Sequence, residues 1–235
     1  MREFKVTNFY VSEKEIVFFL VTISVLSFLF VFNDDFVTWG DVLINYVNVF
    51  VLAGLSFLFF QLVQKAVAQI YGARTRYVLW TKGFIFSFIV GIASLGKLVF
   101  FSMGFTEIVK YRGSRLGKKS LSLGEDERGK IILSGVLASL GIAFLIKLLS
   151  PFLSNNVWVT GVSINVLIAI FNLIPVPPLS GSYVFVWNRV VWAITSIVGV
   201  TCFFLMPVTS IFWVLLVMSV LSVITFLFMM GFQLV

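Results

Sequence analysis

Few residues in this chain could act on a bond or hold an ion, and what is missing narrows the chemistry first. The 235 residues include no histidine, the commonest metal-binding side chain and the usual proton shuttle. Ser180 lies in a proline-rich stretch, Asn172-Leu173-Ile174-Pro175-Val176-Pro177-Pro178-Leu179-Ser180-Gly181-Ser182-Tyr183. With Lys65 as base, it is the candidate nucleophile of a serine–lysine hydrolase. A lysine serves as a base only where desolvation lowers its pKa. Lys65, at the end of an apolar run, reads instead as a side chain that snorkels to the cytoplasmic surface. Cys202 is a nucleophile by type, but no histidine can activate it, so core packing is the expectation. One cysteine also excludes an intramolecular disulfide. Asn172 is a strongly polar residue in an apolar span, which points it toward the interior of a helix bundle.

The three prolines and Gly181 follow the apolar run 157–170, where a membrane helix should end. Proline removes a backbone donor and blocks the preceding turn, so irregular backbone is expected near the membrane edge. Such backbone persists at that depth only when packed inside protein or lining a wet cavity. A kinked helix exit with no further role is the plainer alternative.

The elements that must position these residues are almost wholly apolar. Of the chain, 60% is hydrophobic and 11% charged, which excludes a soluble globular domain and predicts an all-α polytopic membrane protein. Apolar runs predict about six transmembrane helices, over 16–32, 43–63, 130–149, 157–174, 190–206 and 208–230. The second continues as an amphipathic helix to Gly72, which reads as a C-cap. Tyr77-Val78-Leu79-Trp80 suggests a short strand and Lys82-Gly83 a turn. The run 84–95 is too short to cross, so a short membrane-associated β/re-entrant hairpin is expected there. The spacing Gly135-x-x-x-Ser139 would let two helices approach closely. Residues 1–235 read as a single integral membrane domain, with no internal repeat. Arg2, Lys5 and Lys14 mixed with Glu3, Glu13 and Glu15 predict no cleavable signal peptide.

Charge orients the spans. Lysine and arginine number 17 against 10 acidic residues, a formal net charge of +7. The basic loops 65–82, 110–130 and around Arg189 fall on one face. Loops 33–42, 151–156 and 206–207, which lack lysine and arginine, fall on the other. The positive-inside rule then places both termini in the cytoplasm. Loop 110–130 is expected to lie against anionic lipid, and nucleic acid is not an expected partner.

The wording of the proline-rich stretch resembles the Asn-x-x-Pro-x-Pro-Pro-Leu-Asp-Gly signature of site-2 proteases, the intramembrane zinc metallopeptidases. Lys65-Ala66-Val67-Ala68-Gln69-Ile70-Tyr71-Gly72 resembles the continuation of that family's zinc-binding helix, and the resemblance covers roughly residues 43–192. It implies that Phe60 and Gln64 stand where ligating histidines would be, Gln61 at the catalytic glutamate, and Ser180 at the ligating aspartate. Ser139 stands where a helical asparagine of the family would be. Asn172, Pro175, Pro177, Pro178 and Gly181 persist.

A phenyl ring cannot bind zinc, and a glutamine amide is a poor ligand that cannot take a proton from bound water. The expectation is therefore a pseudoenzyme with no catalytic residues, no metal and no cofactor, in which Gln61, Gln64, Asn172 and Ser180 form a neutral hydrogen-bonded cluster. Such a protein would serve as scaffold, subunit or regulator in a larger membrane complex. It would bind other transmembrane segments, with the strand edge near Tyr77, Leu79 and Trp80 free to pair with an extended peptide. The alternative is an intramembrane hydrolase with rebuilt chemistry around Ser180.

Overall fold

The computed structural model describes residues 3–6, 9–32, 39–94, 96, 99–100, 103–110, 123–206, 214 and 216–225. Strands β1 (Glu3–Val6) and β2 (Phe9–Ser12) form an antiparallel hairpin that the apolar pattern did not announce. Helix α1 (Glu13–Val31) begins where the Ser12 hydroxyl accepts the Glu15 N–H at 3.2 Å, with Glu13 and Glu15 in the first turn. A serine cap and early carboxylates satisfy and complement the positive end of a helix. Its 19 residues span about 28 Å, close to the hydrocarbon thickness of a bilayer.

Helix α2 (Trp39–Ile70) has 32 residues and so runs about 48 Å, well beyond that thickness. It stops at Gly72, whose φ of +65° is the left-handed conformation that glycine takes without strain. Strand β3 (Ala73–Leu79), helix α3 (Thr81–Ala93) and strand β4 (Gly104–Lys110) follow. β3 and β4 pair antiparallel, Tyr77 opposite Thr106 and Thr75 opposite Ile108. The chain therefore leaves through α3 and comes back beside its starting point. At 13 residues α3 is about 20 Å long, too short to cross. Lys82 and Gly83, expected as a turn, lie in its first turn, and the strand expected at Tyr77–Trp80 begins four residues earlier. Two small sheets thus modify the all-α expectation.

Helix α4 (Glu125–Leu148) is opened by Glu125, Asp126 and Glu127, and the Glu127 carboxylate accepts the Gly124 N–H at 3.1 Å. Helices α5 (Asn155–Phe171), α6 (Gly181–Trp187) and α7 (Arg189–Leu205) complete the main packing. Asn188 caps α7 by accepting the Val191 N–H at 3.1 Å. The core holds Phe57, Phe60, Val136, Ile164 and Ile168 where α2, α4 and α5 meet.

The result is a mostly helical membrane protein in which α1, α2 and α4 are long and apolar enough to cross. α5 and α7, at 17 residues each, are apolar but shorter. Most of the span expected at 208–230, and the loop 111–122, lie outside the described residues.

Candidate functional site: a polar seam between a long helix and a two-stranded sheet

Successive residues of a strand point to opposite faces, and Ala73, Thr75, Tyr77 and Thr106 are the buried side of the β3–β4 sheet. That side lies on α2. Thr106 Oγ1 donates to Gln64 Oε1 at 2.8 Å, the Tyr77 ring stands edge-on to Phe57 at 5.0 Å, and Ala73 clusters with Ala68. Lys65 Nζ donates to the Thr75 carbonyl at 2.9 Å. Phe57, Gln64, Lys65 and Ala68 thus touch the sheet at one helical face.

Thr106 is the hub. Its backbone N–H donates to Ser180 Oγ at 2.9 Å while its hydroxyl holds Gln64, whose Nε2 reaches the Ile132 carbonyl of α4 at 3.3 Å. All three side chains are buried. Helix α2, strand β4, the proline-rich turn and α4 are therefore tied at one level. Gly135 makes the approach possible: a methyl group there would sit 2.6 Å from Gln64 Cγ and 2.8 Å from Phe60 Cε2. Gly181 has the same duty beside Ser180, because a Cβ would strike the Leu173 and Ile174 backbone.

A second knot closes the other side. Lys65 Nζ lies 2.7 Å from Glu15 Oε1 of α1, with both side chains 8% exposed. The same carboxylate oxygen accepts the Tyr77 N–H at 3.2 Å. Tyr77 Oη meets Thr22 Oγ1 at 2.9 Å, and burial pushes its phenol well above the ordinary value, so it stays a neutral hydroxyl.

These contacts correct several expectations. Lys65 is buried and paired rather than snorkelling, so it is no base for Ser180. The outer edge of β3 is partly occupied, because its outward Thr75 carbonyl and Tyr77 N–H are taken by Lys65 and Glu15. Leu79 is half-buried, and the Trp80 N–H is taken by the Met103 carbonyl. Of the four residues expected to cluster, Gln64 and Ser180 are joined through Thr106. Asn172 caps α5 and turns its amide back to the Ile168 carbonyl at 2.8 Å. The buried asparagine of α5 is Asn165, bonded to Ser56 of α2 at 2.8 Å. Gln61 is buried, and Ser139 is buried on the α4 face that carries Gly135. Pro175 and Pro178 are respectively exposed and half-exposed in the turn before α6, and a cis bond joins Pro177 to Pro178.

Thr106 was missed from sequence, because Gly104–Lys110 shows no clean apolar–polar alternation that would mark a strand with an inner side. The Glu15–Lys65 pair joins residues 50 apart and carries no local signal.

Comparison with known proteins yields one informative match. A protein of Methanocaldococcus jannaschii named "Putative zinc metalloprotease MJ0611" is 31% identical over 191 residues, 79% of this chain and 91% of that protein. No family model and no solved structure matches. The match overturns the expectation of a protein that is no enzyme: a relative over most of the chain bears a metalloprotease's name, so this chain is protease-like.

The relative's name implies zinc, and the residues here can be tested against it. Gln64 offers a neutral amide already bonded at both ends, Ser180 a hydroxyl already accepting the Thr106 N–H, and Phe60 a ring stacked at 5.9 Å on Phe57. Zinc sites take thiolate, imidazole or carboxylate donors. Among the described residues, no group of three or more such side chains gathers. The seam does not fit a zinc ion, and no chemical step is routed through one.

Proposed function

We propose, from the premise that this chain belongs to the zinc metalloprotease family of its Methanocaldococcus relative, that it binds segments of other membrane proteins along the outer edge of β4. It does so as a multi-pass protein with both termini in the cytoplasm, and it acts as a subunit or regulator of a larger membrane assembly. One observation supports this more than any other, the asymmetry between the two edges of the sheet. In an antiparallel pair, alternate residues turn their N–H and C=O away from the partner strand. On β3 the outward Thr75 carbonyl and Tyr77 N–H are occupied by the buried ion pair. On β4 the outward N–H of Thr106 is occupied by Ser180, whereas those of Ile108 have no partner among the described residues. A strand edge with free donors and acceptors is a template for an extended peptide.

The ends of α4, α6 and α7 support the orientation. Arg128 lies over the Tyr183 ring at 5.9 Å, Lys130 over Trp187 at 5.9 Å and Arg189 over Phe185 at 5.5 Å. Cations and aromatic rings gathered at one level suit a cytoplasmic interface facing anionic lipid.

The test uses the full chain in phosphatidylcholine–phosphatidylglycerol vesicles with a fluorescent synthetic transmembrane peptide carrying an extended flank. Ile108→Pro removes an outward N–H without breaking the β3–β4 ladder, because prolines are accepted on sheet edges. The one lost hydrogen bond, worth ~1 kcal/mol, weakens peptide binding by roughly fivefold, while Ile108→Val leaves it unchanged. Equal binding by the unaltered and Ile108→Pro chains defeats the reading.

A further inference from the structure

We infer that the seam between α2 and the β3–β4 sheet is a binding site for a single water molecule, held by Gln61 and Thr75. Both side chains are more than nine-tenths buried, Gln61 at 5% and Thr75 at 3% exposure. Gln61 Nε2, Gln61 Oε1 and Thr75 Oγ1 have no hydrogen-bond partner among the described residues.

Their positions converge. Residues three and four apart on a helix share a face, and Phe57, Gln64, Lys65 and Ala68 are the i−4, i+3, i+4 and i+7 neighbours of Gln61. Each of those four touches the sheet, at Tyr77, Thr106, Thr75 and Ala73 respectively. Gln61 therefore lies beneath the sheet, in the patch where Thr75 turns its hydroxyl inward. Lys65 holds the Thr75 carbonyl, one turn of α2 from Gln61.

The unmet valences describe the ligand. An amide N–H needs an acceptor, an amide oxygen needs a donor, and a hydroxyl can be either. Water supplies both kinds, and a buried water typically makes about three such bonds. An ion is a poor fit, because both side chains are neutral and the nearby charges, Lys65 and Glu15, already neutralise one another. Within a bilayer the alternative for three orphaned polar atoms is a large desolvation cost. The inference stands apart from segment binding at β4.

The experiment is solution NMR of the full chain, labelled with 15N at glutamine side chains, in detergent micelles. The Gln61 carboxamide resonance is identified by its loss in Gln61→Met. We expect a direct cross-relaxation peak between its protons and water, with the sign of a water bound for longer than molecular tumbling. In Thr75→Val, which removes one of the three partners, that peak weakens at least about threefold, the equivalent of one modest hydrogen bond. Thermal midpoints supply the second readout. Gln61→Met and Thr75→Val are expected to be non-additive, because either change alone releases the shared water. Absence of the peak, a peak unchanged by Thr75→Val, or additive midpoints would each overturn the site.

Discussion

Replacing Lys65 with methionine tests how the sheet is fastened to the helices. The change keeps an unbranched chain of similar length and removes the cation. Two groups are then stranded: the Glu15 carboxylate, 8% exposed and 2.7 Å from the lost ammonium, and the Thr75 carbonyl, 2.9 Å from it. Breaking a buried ion pair from one side costs about 3–5 kcal/mol, because the remaining charge has no counter-charge. For a chain of this size each kcal/mol lowers the midpoint by roughly 2–4 °C, so the fall is on the order of 6–20 °C in a detergent thermal-unfolding assay. Glu15→Gln alone also destabilises, since it strands the Lys65 ammonium. The double variant Glu15→Gln, Lys65→Met carries no buried charge and recovers much of the loss. Amide hydrogen exchange at Tyr77 rises in Lys65→Met, because Glu15 no longer stays at that N–H. A midpoint within about 2 °C of the unaltered chain, or single effects that simply add, refutes the reasoning.

Other outcomes follow from the same contacts. Thr106→Val strands Gln64 Oε1 in a buried place and lowers stability by about 1–3 kcal/mol, read as a fall in thermal midpoint. Ser180→Ala strands the Thr106 N–H and loosens the proline-rich turn, so limited proteolysis near residues 175–180 quickens. Gly135→Leu forces α4 away from Gln64 and Phe60 and destabilises by about 1–3 kcal/mol or more, whereas Gly141→Ala, with open space around it, is tolerated. Adding zinc or a chelator leaves the thermal midpoint where it was, because ligand-linked stabilisation needs a site with matching donors.

Much of the scaffold was legible because long apolar runs have one stable solution in lipid. The expected spans at 16–32, 43–63 and 130–149 correspond to α1, α2 and α4, with ends shifted by a few residues. Gly72 was readable as a stop because φ +65° is a local property of one residue. The site was only half readable. The resemblance drew Gln64 and Ser180 into one neighbourhood, yet the residue that joins them, Thr106, comes from a strand that propensity alone does not place over α2. Lys65 was misread for a related reason. Its fate depends on Glu15, distant in sequence and at the start of α1, and a one-dimensional pattern gives a terminal lysine no partner but water. Asn172 was expected in the bundle interior, whereas the buried asparagine of α5 is Asn165. Only packing decides that Asn165 faces Ser56 while Asn172 caps the end.

We propose a sheet whose β3 edge is partly occupied by the Glu15–Lys65 pair and whose β4 edge takes a partner chain. The most direct measurement places a photo-crosslinking amino acid at Val109, 44% exposed on β4, and in parallel at Phe152, 86% exposed beyond the end of α4. Irradiation of native membranes, followed by mass spectrometry, is predicted to give a discrete membrane-protein adduct at Val109 and none at Phe152. The adduct maps to an extended segment of the partner and disappears in the Ile108→Pro background. Adducts of equal yield at both positions, or a Val109 adduct that survives Ile108→Pro, would contradict it.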